Sequence, residues 1–101
     1  MNMNIQNLMR EAQKMQKDLQ KTQSELSNTE YTGTSSLVSV VLNGNKDLKS
    51  VKINLDDDLS KDDIEMLEDM LIVAFNDASK KVESDKEKKL GKYGSGLSGL
   101  L

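Results

Sequence analysis

The fold is decided by residues 37–55, LVSVVLNGNKDLKSVKINL, which have the pattern of a β-hairpin. Leu37 to Leu42 is dense in β-branched and aliphatic residues, as strands are. Leu48 to Leu55 alternates apolar and polar residues with a period of two. Between these segments, Asn43-Gly44 is a strong turn signal, so the stretch predicts two antiparallel strands.

Two registers are compatible with this hairpin. A loop over residues 44–47 pairs Val40 with Val51 and Val38 with Ile53, which puts the apolar sides of both strands on one face. A two-residue turn at the Asn-Gly pair would instead place charged residues opposite the two valines of the first strand. We favour the longer loop, because a buried face fixes the register of a strand pair.

Upstream of the hairpin, residues 3–27 predict one long amphipathic helix, without Gly or Pro to interrupt it. Apolar residues recur there at alternating intervals of three and four, with one polar exception at Thr22. This stripe comprises Ile5, Leu8, Ala12, Met15, Leu19 and Leu26. Glu30 to Thr34 is a weaker candidate for a third strand.

Downstream of the hairpin, residues 60–90 predict a second long helix. Ser60 followed by Asp63 resembles a capping box, and lysines near the other end suit the helix dipole. The apolar stripe is Ile64, Leu67, Leu71, Ala74, Ala78 and Val82. Residues 91–101, GKYGSGLSGLL, predict a flexible tail of Gly, Ser and Leu, so that residues 1–90 form a single domain.

The predicted order is therefore α-β-β-β-α, an α+β two-layer unit with helices on one face of a three-stranded antiparallel sheet. The first helix would span about 37 Å, but strands of this length span only about 20–27 Å. Part of its apolar stripe must then project past the sheet, which predicts a symmetric homodimer joined through paired helices or sheet edges. The predicted interface residues are Ile5, Leu8, Met9, Ala12 and Met15. A monomer with a bent or frayed first helix is the alternative.

Composition argues against several classes of function. The chain lacks Cys and His, so thiol nucleophiles, thiolate metal sites and imidazole bases are excluded. The run Asp56-Asp57-Asp58 lacks the glycine of a calcium loop at the required spacing. No segment has the length and apolarity of a membrane span or a signal peptide. We expect a cytoplasmic protein without catalytic activity, metal, cofactor, membrane partner or small-molecule substrate.

Charge is unevenly distributed along the chain. Residues 28–78 hold four basic and eleven acidic residues, whereas residues 79–101 hold six lysines and three acids. In the first helix, basic residues spaced four, three and four apart share one side, which we call the basic ridge. It comprises Arg10, Lys14, Lys17 and Lys21. The ridge predicts either a phosphate-binding surface or an ordinary solvated face with i,i+4 ion pairs.

Several segments together resemble one known family. They are Asn7 to Gln16 (NLMREAQKMQ), Gln23 to Leu26, Glu30 to Gly33, both strands of the hairpin, and Leu67 to Ala78 (LEDMLIVAFNDA). In this order, over residues 5–90, they resemble the YbaB/EbfC family of bacterial nucleoid-associated proteins.

The resemblance implies a tweezer-like homodimer of α-β-β-β-α chains. It also implies binding to double-stranded DNA by the helical parts, with little or modest sequence preference. Carried to this chain, it implicates the basic ridge and lysines of the second helix, Lys80, Lys81, Lys88 and Lys89. A dimeric protein-interaction module without DNA affinity is the alternative, because the acidic middle of the chain would repel a duplex.

Overall fold

The computed structural model describes residues 3–55 and 58–93, apart from the side chain of Met3. Along the chain, one long helix precedes three strands and a second long helix follows them, as the sequence predicts. The elements are α1 (Met3–Asn28), β1 (Glu30–Ser35), β2 (Val38–Asn43), β3 (Leu48–Ile53) and α2 (Lys61–Leu90), followed by a short 3-10 helix (Gly91–Tyr93). The fold is α+β, and the molecule extends 75 Å along its longest axis but only 20 and 15 Å across it.

The sheet is antiparallel with the order β1-β2-β3. Val38 pairs with Ile53 and Val40 with Val51, which confirms the register predicted from the longer loop. Asn43 organises this loop, because its side-chain oxygen accepts hydrogen bonds from the backbone N–H groups of Asn45 and Asp47 at 2.9 and 3.0 Å. Lys46 completes the loop with a left-handed backbone, at a φ of 64°.

The core lies between α2 and the first two strands. Val38, Val40 and Leu42 of β2 are buried against one side of α2, which contributes Leu67, Ala74, Ala78 and Val82. The two alanines let the helix approach the sheet closely at Gly33 of β1, where a β-carbon would overlap the Ala74 carbonyl oxygen. The predicted capping box is also confirmed, since the Ser60 N–H donates to the Asp63 carboxylate at 2.9 Å and the Ser60 hydroxyl accepts from the Asp63 N–H.

The apolar face of β3 is less covered than its alternation predicts. Val51 and Ile53 point to the core side of the sheet, as their pairing with β2 requires, yet they remain 43% and 47% exposed. Ile64, the first residue of the predicted α2 stripe, is 48% exposed. The reason is geometrical: among the elements that the structure describes, α2 lies over β1 and β2 and does not extend over the third strand.

The sheet covers less of α1 than the predicted lengths of the helix and the strands suggest. Every residue from 4 to 18 is exposed, and burial begins only near the end of the helix. The second layer is therefore α2, while α1 projects beyond the compact part of the fold. We call the sheet together with α2 the body.

Two predictions fall wholly or partly on residues that the structure does not describe. Of the predicted tail, residues 91–101, only Gly91–Tyr93 is described, as the 3-10 helix after α2. The remaining residues, 94–101, lie outside the described residues, as do Asp56 and Asp57 of the acidic run. The domain bounds of 1–90 therefore stay a prediction.

The close approach of α2 to β1 can be tested by adding one methyl group. Gly33→Ala would place its β-carbon against the backbone of Ala74 and Ala78, so the helix must move away from the sheet. We expect a loss of about 3 kcal/mol in the free energy of unfolding, measured by urea denaturation. Gly91→Ala is the matched control, because no atom lies within 4 Å of its added β-carbon. Equal stability of the two variants would contradict this packing.

Candidate nucleic-acid interface

The last turn of α1 attaches this helix to the body. Leu26 is only 2% exposed, and its carbonyl lies so close to Gly44 of the β2–β3 loop that any side chain there would overlap it. The Ser27 hydroxyl donates to Asn45 of the same loop at 3.2 Å. Leu90, at the end of α2, is buried and lines a small cavity beside this turn. One turn of helix thus orients the whole projecting segment.

The basic ridge lies on the projecting segment and is open to solvent. Arg10, Lys14, Lys17 and Lys21 are all exposed. The ion pairs that the structure shows among its described residues all lie on the body, and none of them includes a ridge residue. The i,i+4 pairs that a purely solvated face would favour are therefore not formed here, and the ridge cations are accessible to an anionic partner.

The predicted lysines of α2 divide into two groups. Lys81 donates to the Thr32 carbonyl of β1 at 2.8 Å and lies 3.5 Å from the Asp77 carboxylate, so it holds α2 on the sheet. Lys89 pairs with Asp85 at 3.1 Å. Lys80 and Lys88 are exposed and form none of the ion pairs seen in residues 3–55 and 58–93. The four lysines cannot be distinguished from the sequence, but in the structure Lys81 and Lys89 bind other residues of the fold.

The structure also brings together two basic residues that are distant in the chain. Lys92, in the 3-10 helix, and Lys14, in the ridge, line the same surface depression, together with Met15 and Tyr93. The Lys92 ammonium lies 5.2 Å from the centre of the Tyr93 ring, within the range of a cation–π contact. Sequence analysis missed Lys92 as a site residue, because spacing within one helix carries no information about which other segment packs beside it.

Three carboxylates on α2 connect this helix to the sheet and its loop. The Tyr31 hydroxyl donates to Asp85 at 2.5 Å, and this hydrogen bond lowers the pKa of the Asp85 carboxyl. A hydrogen bond from the Thr34 N–H lowers the pKa of Asp77 in the same way. The Lys46 ammonium, 2.6 Å from Glu83, lowers the pKa of that carboxyl. Each of these acids also pairs with a lysine, Lys89, Lys81 or Lys46, and the charge of that lysine limits its repulsion of a polyanion.

The predicted interface residues of α1 are also available to a partner. Ile5, Leu8, Met9 and Met15 are between 55% and 63% exposed, and Ala12 is exposed as well. They lie on the side of the helix opposite the basic ridge, as the heptad spacing requires. An apolar contact through this stripe would therefore leave the ridge open.

The described residues also bear on metal and membrane binding. Within residues 3–55 and 58–93, no three acidic side chains converge in the manner of a metal site. Neither long helix, over the same ranges, has an apolar stretch sufficient to cross a bilayer.

Comparison with known proteins identifies the family to which this chain is similar. The sequence model of the YbaB/EbfC DNA-binding family matches residues 1–97. The chain belongs to the YbaB/EbfC DNA-binding family. Among the relatives of this YbaB/EbfC chain is a nucleoid-associated protein of Enterococcus faecalis, 39% identical over 96% of this chain and 94% of that protein.

Two further relatives carry the same name. The nucleoid-associated protein of Xylella fastidiosa is 44% identical over 94% of this chain and 89% of its own length. That of Lactococcus lactis subsp. cremoris is 44% identical over 94% of this chain and 97% of its own length. The YbaB/EbfC family is a DNA-binding family rather than an enzyme family.

The contact between Tyr31 and Asp85 of this YbaB/EbfC protein can be tested by its pH dependence. Burial, followed by the hydrogen bond to Asp85, raises the pKa of Tyr31 to about 12 from 10.0. The stabilisation is therefore complete below pH 10 and is lost as the pH rises towards 12. We expect Tyr31→Phe to lower the free energy of unfolding by about 1–2 kcal/mol at neutral pH.

Urea unfolding of the wild type and of Tyr31→Phe across this alkaline range measures the effect. The difference between the two proteins should shrink as the pH rises, since only the wild type loses the tyrosine contact. Comparison of the two proteins also cancels the titration of lysines, which they share. A difference that stays constant up to pH 12 would contradict the assignment.

Proposed function

We propose that this protein is a homodimer that binds double-stranded DNA with low or modest sequence preference and resides with the nucleoid in the cytoplasm. The observation that carries the proposal is the basic ridge, because its cations are exposed, lack partners among the described residues and lie on a helix that projects from the body. Membership of a DNA-binding family and the shared name of its relatives support the same function.

The geometry reconciles this function with a net charge of −3. The exposed part of α1, residues 4–18, is about 22 Å long. At physiological ionic strength, interactions between exposed charges are largely screened beyond about 8 Å. The charges close to the ridge therefore govern its interaction with phosphates more than the net charge of the chain does. These nearby charges include Lys92 beside Lys14, and the exposed acids Glu11, Asp18 and Glu25 along one side of the same helix.

The contacts of such a ridge position a duplex. Lysine and arginine side chains along one helix face can follow successive phosphates, and phosphate contacts carry little information about sequence. Lys80, Lys88 and Lys92 would extend this surface on α2 and the 3-10 helix. We assign Lys81 and Lys89 a smaller part in DNA binding, because the Thr32 carbonyl and the carboxylates of Asp77 and Asp85 already engage them.

Two apolar surfaces support a homodimer. The first is the α1 stripe with its exposed Ile5, Leu8, Met9, Ala12 and Met15. The second comprises the exposed apolar residues Val51 and Ile53 of β3 and Ile64 near the start of α2. An apolar sheet face without a covering layer is a typical site for a second copy, since burial there removes both copies' apolar area from water. A dimer would also double the number of basic ridges.

DNA binding is tested by fluorescence anisotropy on a labelled duplex at several salt concentrations. If four phosphates are neutralised, the logarithm of the association constant should fall with the logarithm of the salt concentration with a slope of about −3.6. We expect the triple charge reversal Lys14→Glu, Lys17→Glu and Lys21→Glu to abolish most of the affinity, for all duplex sequences alike.

The matched control reverses three exposed lysines of the body, Lys49→Glu, Lys52→Glu and Lys61→Glu, and so changes the net charge equally. Because these residues lie off the ridge, we expect this control to retain most of the affinity. Similar losses in the two triple variants would mean that net charge, not the ridge, governs binding. Absence of binding by the wild type at low salt would favour the protein-interaction module instead.

The homodimer is tested by sedimentation equilibrium at micromolar concentration. We expect the wild type to sediment as a dimer, and Val51→Lys with Ile53→Lys to shift it towards monomer, because two buried charges would destabilise the contact. The double variant Leu8→Lys with Met15→Lys tests the α1 stripe in the same way and should also shift the protein towards monomer. Ser50→Lys, on the opposite side of β3, is the control and should remain dimeric. A monomeric wild type would refute the proposal.

A further inference from the structure

Side-chain amides form a row beside the basic ridge. Gln13, Gln16 and Gln20 are spaced three and four apart, so they stand one above another on the surface of α1. All three are exposed. They line a shallow groove along the helix together with Arg10, Lys14 and Lys17 of the ridge. We call these three glutamines the amide row.

The two flanks of the ridge differ in chemistry. Gln13 and Gln20 are one helical turn from Lys17, so the amide row borders the ridge on one side. On the other side, Lys14 and Lys21 are bordered by exposed acids at seven-residue intervals, Glu11, Asp18 and Glu25. Because carboxylates are repelled by phosphates, the acidic flank would turn away from a duplex and the amide flank towards it.

The dimensions of the exposed segment suit a DNA groove. An α-helix with its side chains is about 10–12 Å in diameter, and the major groove of B-DNA is about 12 Å wide. Residues 4–18 are all exposed, and the 3-10 helix approaches them at the depression lined by Lys14, Lys92 and Tyr93, on the side of α1 away from the amide row. In the groove, a glutamine amide can donate to N7 of adenine and accept from its N6 amino group at the same time.

We propose that the amide row contacts adenine edges in the major groove while the ridge holds the flanking phosphates, which gives the protein a modest preference for particular A·T pairs. This inference rests on the proposed function, because it names the bases that the same surface would recognise. Gln13 and Gln20 are separated by about 10 Å along the helix, on the order of three base-pair steps. Two A·T pairs at that spacing should matter most.

The test compares duplexes by anisotropy at a fixed salt concentration. One duplex carries A·T pairs three steps apart in a G·C background, a second has G·C throughout, and a third replaces the adenines with 7-deaza-adenine, which lacks the N7 acceptor. We expect the wild type to bind the first duplex about tenfold more tightly than the other two. The 7-deaza duplex separates direct contact in the major groove from a preference for minor-groove shape, which it leaves unchanged.

The triple variant Gln13→Ala, Gln16→Ala and Gln20→Ala should bind all three duplexes equally, with the salt dependence of the wild type. Alanine preserves the helix, so this variant keeps its fold. Asn7→Ala removes an exposed amide on the acidic flank and is the matched control, which should keep the preference.

Three results would overturn the inference. Equal binding of the three duplexes by the wild type would refute it and leave the proposed function intact. A preference that survives in the triple variant, or on 7-deaza-adenine, would assign recognition to other groups. Absence of binding to every duplex would refute the proposed function and this inference together.

Discussion

The contact between Leu26 and Gly44 determines what the rest of the molecule can do. It holds the last turn of α1 between the β2–β3 loop and the end of α2. The two backbones approach so closely here that only glycine fits at position 44. Everything N-terminal to this turn is directed outward, which explains a length of 75 Å for a chain of 101 residues. The basic ridge, the amide row and the part of the apolar stripe from Ile5 to Met15 all owe their exposure to this contact.

The position of α2 on the sheet explains both the core and the uncovered surface. Ala74 and Ala78 bring the helix down onto Gly33, and Lys81, Asp77 and Tyr31 bind it to the edge formed by β1. A single helix held over β1 and β2 leaves the third strand without cover. The same contacts that build the core thus create the apolar face for which we propose a second copy.

Local sequence signals predicted the local structure well. The strand pairing of Val40 with Val51 followed from alternation and loop length, and the capping box followed from Ser60 and Asp63, because both depend on residues close in the chain. The exposure of Ile53 and Ile64 could not be predicted in this way. Periodicity shows which side chains share a face, but not whether another element covers that face.

The candidate site illustrates the same limit. The spacing of Arg10, Lys14, Lys17 and Lys21 placed them on one side of a helix, and the structure leaves that side open. Spacing did not reveal that Lys81 bonds to the Thr32 carbonyl or that Lys92 lies beside Lys14. Those relations depend on packing between segments far apart in the chain, which composition and periodicity do not encode.

Attachment by a single turn has a mechanical consequence. A helix of this length, about 39 Å, acts as a lever: a tilt of about ten degrees at its base would displace its far end by about 7 Å. Such a displacement is about the rise of two base-pair steps, so a small change of angle around Gly44 produces a large change in the position of the far end of α1. By tilting about its last turn, α1 can therefore accommodate duplexes of differing local width without any change in its own backbone hydrogen bonds.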